Sequence, residues 1–188
     1  MKAVVSDNMY WLWESFVPKE TCEKLIKDHF DAGHVMDGEY SDGVKMVTGE
    51  KRDTKICWVQ QETFLGAKLM SHILMANQKA GWYFDIDGTE SIQLGRYGVG
   101  GHYDWHTDCA VHQKNSTGMQ RKLSVSLFLS DPADYDGGDF LFQGYDAPIT
   151  RAQGSILVFP SFIEHMVTPV TRGKRYSAVT WAQGPNFR

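Results

Sequence analysis

The sequence lacks any long apolar run: no stretch approaches the roughly 18 residues that a membrane-crossing helix needs. Its first residues, MKAVVSDNMYWLWESF, hold no apolar segment followed by a small-residue cleavage site, so no signal peptide is expected. Cysteine is scarce. Cys22, Cys57 and Cys109 are far apart and odd in number, which fits neither a disulfide framework nor zinc-finger spacing. A reducing cytoplasm is the expected setting. Positive charge is in deficit too, with 19 Lys and Arg against 23 Asp and Glu, a net charge of -4 and a pI near 5.9. A general nucleic-acid binder is normally basic, so neither nucleic acid nor membrane is an expected partner. The basic spots KRDTK (51–55) and RGKR (172–175) are too short to reverse this and read as solvated turns. Repeats and low-complexity segments are missing as well.

What is present is ordinary globular composition: 188 residues, 42% hydrophobic and 22% charged. That is enough chain for one domain with a buried core, and no boundary divides it. The first half reads partly helical. Residues 18–32 start with Pro18, suited to a first turn, and repeat Leu25, Ile26 and Phe30 at helical spacing up to Gly33. Residues 62–81 form a second helix on Phe64, Leu65, Leu69, Ile73, Leu74 and Asn77, closed by Gly81. Between them, 37–53 is rich in Gly and Asp and reads as a mobile loop.

From Ser91 the pattern changes to short apolar runs cut by Gly, Pro and Asp: IQLGRY, HYDWHTD, KLSVSLFLS, GDFLFQG, GSILVFP, EHMVTPV and KRYSAVTWA. Short strands at near-regular spacing indicate a β-sandwich or barrel. The two helices would then cover one face of its sheet. The expected class is mainly β with amino-terminal helices, with 1–90 as helical support plus leading strands and 91–183 as the β core.

One stretch concentrates polar chemistry: YGVGGHYDWHTDCAV, residues 97–111. His106 and Asp108 are one residue apart, which on a strand puts both side chains on one face. An imidazole and a carboxylate together are two-thirds of a facial triad, whose third ligand must be a distant His. His165 has the best context, after an apolar strand and turn and at the head of HMVTPV. Arg175 follows ten residues later on an apolar strand, where its burial requires a carboxylate partner. A dicarboxylic co-substrate with one end on the metal and the other on Arg175 meets both needs, and 2-oxoglutarate has that shape. The other histidines near this stretch, His102 and His112, read as surface or hydrogen-bonded, and His29, His34 and His72 as unconnected with a metal. Gly137 and Gly138 read as a tight turn needing positive φ.

These residues, Tyr97, Gly101, Tyr103, His106 and Asp108, then LSVSLFLSDPADYDGGDFLF (123–142) and HMVTPVTRGKRYSAVTWAQ (165–183), resemble the Fe(II)/2-oxoglutarate oxygenases. More narrowly they are similar to the prolyl-4-hydroxylase-like group and its bacterial and phage PKHD-type hydroxylases. The resemblance covers 92–183 strongly and the helical half loosely. It implies a double-stranded β-helix, a distorted jelly roll, with helices on the major sheet. It implies His106, Asp108 and His165 as iron ligands and Arg175 as partner of the distal 2-oxoglutarate carboxylate. It gives Tyr97 a hydrogen bond to the co-substrate and places Trp181 at the pocket. Tyr103 and Trp105 are candidate substrate contacts, beside the plainer reading of barrel-core aromatics. Some relatives hold the distal carboxylate with a Tyr for which Phe128 is the nearest match here. Phe128 cannot donate, so Ser124 or Ser126 is the expected replacement.

The implied reaction consumes O₂ and 2-oxoglutarate, releases succinate and CO₂, and hydroxylates a prolyl residue of a peptide or protein, with ascorbate as a possible reductant. A free amino acid or other small molecule is the alternative substrate. A metal-retaining sensor without turnover and a zinc hydrolase are rival readings. The first is opposed by the complete ligand set, the second by Arg175, which it leaves without a role. The segments 37–53 and 110–121 are expected to cover the substrate.

Overall fold

The structure, a computed structural model, describes residues 3–6, 9–30, 35–41, 46–47, 49–109, 118–145 and 147–187. In chain order its elements are β1 (Ala3–Ser6), β2 (Tyr10–Trp13), α1 (Lys19–Phe30), β3 (Met36–Asp37), β4 (Tyr40–Ser41), β5 (Met46–Val47), β6 (Arg52–Asp53), β7 (Lys55–Val59) and α2 (Phe64–Lys79). They continue with β8 (Gly88–Thr89), β9 (Ile92–Tyr97), β10 (His102–His106), β11 (Met119–Phe128), β12 (Tyr135–Gly137), β13 (Phe140–Phe142), β14 (Ile156–Pro160), β15 (His165–Val167), β16 (Val170–Gly173) and β17 (Arg175–Pro185). The chain is therefore mainly β with two helices, as its composition and spacing indicate.

The large sheet runs β1-β2-β14-β11-β17-β9-β7-β3, with β8 beside β17; a smaller one runs β13-β15-β10-β6. Every pairing in both is antiparallel. Period-two alternation divides the large sheet's side chains between two faces. Ile92 and Leu94 on β9, Leu123, Val125 and Leu127 on β11, and Ile156 and Val158 on β14 join Leu65, Leu69, Ile73 and Ala76 of α2 in one core. The opposite parity, Tyr97, Phe128, Leu157 and Phe159, forms a second core with Phe140, Phe142 and Val167 of the smaller sheet. Helix α2 thus covers one face of the large sheet and the small sheet faces the other. The amino-terminal and carboxy-terminal halves share the first core.

Helix α2 is capped by Thr63, whose Oγ1 accepts from the Gly66 N–H at 3.3 Å. Its buried stripe is Leu65, Leu69, His72, Ile73, Ala76 and Asn77. Phe64 and Leu74, expected on that stripe, are instead 83% and 42% exposed. They fall outside the arc swept by 65, 69, 73 and 76. Asn77 is buried without cost because its amide exchanges two hydrogen bonds with the Phe84 backbone, at 2.8 and 3.0 Å. Helix α1 begins one residue after Pro18; its expected Gly33 stop lies outside the described residues.

The segment 37–53 departs from expectation. Its described residues are not a free loop: β4 pairs with β5, and β6 adds to the small sheet beside β10. Residues 42–45 and 48 lie outside the description, as do 110–117 of the other expected cover. Arg52, expected in a solvated turn, is only 7% exposed. Pairing of β6 with β10 carries it inward, where its guanidinium meets the Tyr103 ring. Arg172 in the other basic spot does lie in solvent, paired with Asp136. All three cysteines are free and buried.

Candidate active site

The second core opens into a cavity of about 670 Å³ between the two sheets, a size suited to small ligands. Alternate residues of β17 line it, Arg175, Ser177, Val179 and Trp181, together with Gln93, Gly95 and Tyr97 of β9. His106, Asp108 and His165 face them from the other side.

Cross-strand register makes the triad. His106 on β10 lies opposite His165 on β15. Asp108 follows in a bend rather than on the strand, which ends at His106. The expected pleat does not place it; Ser161 does, because its carbonyl accepts the N–H groups of Asp108 and Cys109 at 2.9 and 3.0 Å. The carboxylate then stands 3.8 Å from His106 Nε2 and 3.6 Å from His165 Nε2. One ligand-type atom from each of the three side chains lies within 4.8 Å of the others.

Each imidazole is oriented by its own backbone. His106 Nδ1 is 2.7 Å from the Asp104 carbonyl and His165 Nδ1 is 2.9 Å from that of Ile163. A carbonyl only accepts, so each Nδ1 donates to it and each Nε2 is left facing Asp108. Burial, and then the facing His165, push His106 down to about 3, so it stays neutral. Burial alone would raise Asp108, but the facing His165 and His106, then Arg121 and the Ser124 hydroxyl, hold it below the usual carboxylate range. Tyr103 stacks on His106 with centroids 3.5 Å apart, and Phe140 on His165 at 5.3 Å. Two imidazoles and one carboxylate with converging donor atoms are the donor set of a facial-triad iron site.

Arg175 is 2% exposed. It sits against the Tyr97 and Phe128 rings at 5.2 and 5.6 Å and donates one 3.4 Å bond to Ser177 Oγ. Its Nε has no acceptor, and among the described residues it pairs with no carboxylate. A buried, unpaired guanidinium is costly, so this cavity fits an anionic ligand that supplies the missing carboxylate. Gly137 and Gly138 have the expected positive φ, 68° and 63°. Gly138 also serves packing, since a Cβ there would lie 2.9 Å from Arg175 Cδ.

The other expected residues divide. Tyr97, Tyr103 and Trp181 line the cavity; Trp105 and Ser124 are not among its lining residues. Ser124 donates instead to Asp108 Oδ2 at 2.6 Å and meets Ser161 Oγ at 2.9 Å. Of the two serines expected to replace the tyrosine, Ser126 reaches the cavity, and Phe128 packs on Arg175 without a donor. Ser161, Arg121, Gln93 and Arg52 were not legible as site residues. Arg121 lines the cavity 3.8 Å over the Trp181 ring, its fork held by Glu90 through two 2.6 Å bonds. Only pairing distant in sequence assembles these four.

Residues 92–183 match the profile of the 2OG-Fe(II) oxygenase superfamily. A PKHD-type hydroxylase of a Synechococcus species is 31% identical over 159 residues, 79% of this chain and 69% of that protein. Another, from Nitrobacter winogradskyi, is 40% identical over 95 residues, spanning 48% of this chain but only 42% of the relative. Among solved structures, a viral collagen prolyl hydroxylase of Paramecium bursaria Chlorella virus-1, in complex with 2OG, superposes with a TM-score of 0.72 at 18% identity, over 94% of this chain and 96% of that one. A prolyl hydroxylase of Trichoplax adhaerens, in complex with a hypoxia inducible factor peptide, gives 0.66 at 18% identity, over 94% and 84%. The fold, the paired histidines with their carboxylate and these relatives agree: the chain belongs to the 2OG-Fe(II) oxygenase superfamily, among its PKHD-type hydroxylases.

Proposed function

We propose that the chain is one oxygenase domain that hydroxylates a prolyl residue of a peptide or protein, with succinate and CO₂ as co-products. One observation carries this: a fully buried arginine with no carboxylate partner among the described residues faces the same cavity as a His-Asp-His cluster. Its two facing sheets read as a double-stranded β-helix, with β10, the bend after it and β15 supplying the ligands. Fe(II), 2-oxoglutarate and O₂, when bound, supply the oxidising power to functionalise an unactivated C–H bond.

The protein's share is binding, orientation and exclusion of water. His106, Asp108 and His165 hold the metal, and the backbone carbonyls behind the two imidazoles keep their Nε2 lone pairs available. Arg175 takes the distal carboxylate of 2-oxoglutarate, with Tyr97 beside it. Ser124 steadies Asp108 by donating to the oxygen that also faces His165. Phe140, Phe159 and Val167 wall the His165 side and exclude water. The peptide substrate is proposed on the relatives' account: the Trichoplax protein is solved with a peptide on a similar fold. A zinc hydrolase would use the same three ligands but would leave Arg175 buried without a role.

The test is succinate formation from 2-oxoglutarate with Fe(II), with and without proline-containing peptides. Stimulation by such a peptide and a product heavier by one oxygen are expected. No succinate under any condition would overturn the reading.

A further inference from the structure

The cavity contains a second buried guanidinium that the oxygenase reading does not use. Arg52 lines it at 7% exposure. Its NH2 donates to Gln93 Oε1, its NH1 to the Glu39 carbonyl at 2.8 Å, and its face lies 4.7 Å from the Tyr103 ring centroid. An arginine carries five N–H donors, and two are used here. Its Nε has no acceptor, and among the described residues no carboxylate pairs with it. Asp37, at the same end of the cavity, is bonded to Lys55. Arg121 differs, because Glu90 neutralises it.

Arg52 and Arg175 meet the cavity at different register positions of the large sheet. Arg52 is held by Gln93, which lies opposite Val179, while Arg175 lies opposite Tyr97. That is four residues along β17, about 13 Å of strand. With Arg175 committed to 2-oxoglutarate, Arg52 is left to a different molecule. The fully buried unsatisfied polar atoms among the cavity's described lining side chains are all donors: Arg52 Nε, Arg175 Nε and Trp181 Nε1. Such a cavity asks for acceptors, and a buried full charge asks for an anion.

We infer that Arg52 anchors the prime substrate, and that this substrate presents a carboxylate there. The inference rests on the oxygenase reading, which makes this cavity the place of reaction, and narrows its substrate to a carboxylate-bearing one. The carboxylate can come from an acidic side chain beside the target residue or from the α-carboxylate of a free amino acid or chain end. Met36, Ile56 and Trp58 also line the cavity and offer apolar contact for the rest of the substrate.

The experiment uses two matched pairs of probes: acetyl-Glu-Pro-amide against acetyl-Gln-Pro-amide, and L-proline against L-prolinamide. Binding is measured by calorimetry on the full chain with Fe(II) and saturating 2-oxoglutarate under anaerobic conditions, so that Arg175 is occupied and nothing turns over. The carboxylate member of at least one pair is expected to bind about tenfold or more tightly than its amide; which pair responds identifies the source. Arg52→Gln should bring that ratio to within about twofold, and Arg52→Lys should keep its direction. Equal binding within both pairs, no binding by any probe, or a ratio unchanged in Arg52→Gln would each overturn the inference. The comparison within the parent protein decides even if Arg52→Gln fails to fold. Succinate formation in air by the same preparation reports on the oxygenase reading separately.

Discussion

His106 and His165 are cross-strand partners on β10 and β15, their rings 4.2 Å apart. Directly opposed residues of an antiparallel pair bring their Cβ atoms within about 5.5 Å, so two proposed ligands 59 positions apart meet through backbone pairing alone. Deleting one imidazole should therefore remove the metal site and spare the fold. His165→Ala or His106→Ala is expected to lose stoichiometric Fe(II) and all succinate formation, with an unchanged far-ultraviolet circular dichroism spectrum. Retained metal with normal turnover would remove that histidine from the ligand set.

Arg175→Lys keeps the charge but not the planar fork. The affinity for 2-oxoglutarate should fall by about 1.5–3 kcal/mol, the scale of a hydrogen bond to a charged group, while Fe(II) binding persists. Titration of 2-oxoglutarate into the iron-loaded variant measures this. Parent-like affinity would place the distal carboxylate elsewhere.

Ser124 donates to Asp108 and does not line the cavity. Ser124→Ala should weaken Fe(II) affinity by about 10–100-fold, as loss of a hydrogen bond behind a metal ligand does, with 2-oxoglutarate affinity unchanged at saturating metal. The opposite pattern would restore the co-substrate role expected from sequence.

His72 is buried between the rings of Trp13 and Phe16, with Nδ1 2.7 Å from the Lys68 carbonyl. Burial lowers its pKa. The folded state thus refuses a proton that the unfolded chain takes below about pH 6.5, so stability declines as pH falls through that value. In urea unfolding of metal-free protein, parent and His72→Gln should diverge in the variant's favour between pH 7.5 and 5.5. The limiting slope is about 1.4 kcal/mol per pH unit. A constant difference across that range would mean that His72 titrates normally when folded.

The sequence by itself carried the strand pattern of the second half, both helices, and the identities of His106, Asp108, His165 and Arg175. These signals are local or chemical: period-two alternation, apolar repeats at helical spacing, and residue types whose burial only a ligand justifies. Tertiary structure decided what pairing and direction control. Ser124 turns to Asp108 while Ser126, two positions on, reaches the cavity; Trp105 stays outside it. Asp108 is set by a carbonyl 53 positions away. Phe64 and Leu74 fit the apolar rule for α2, yet α2 buries a different arc, since only the docked sheet defines which side is in. Arg52 had the composition of a solvated turn, and pairing of β6 with β10 took it inside. Charge and propensity are properties of a residue, whereas burial and partner are properties of the register that surrounds it.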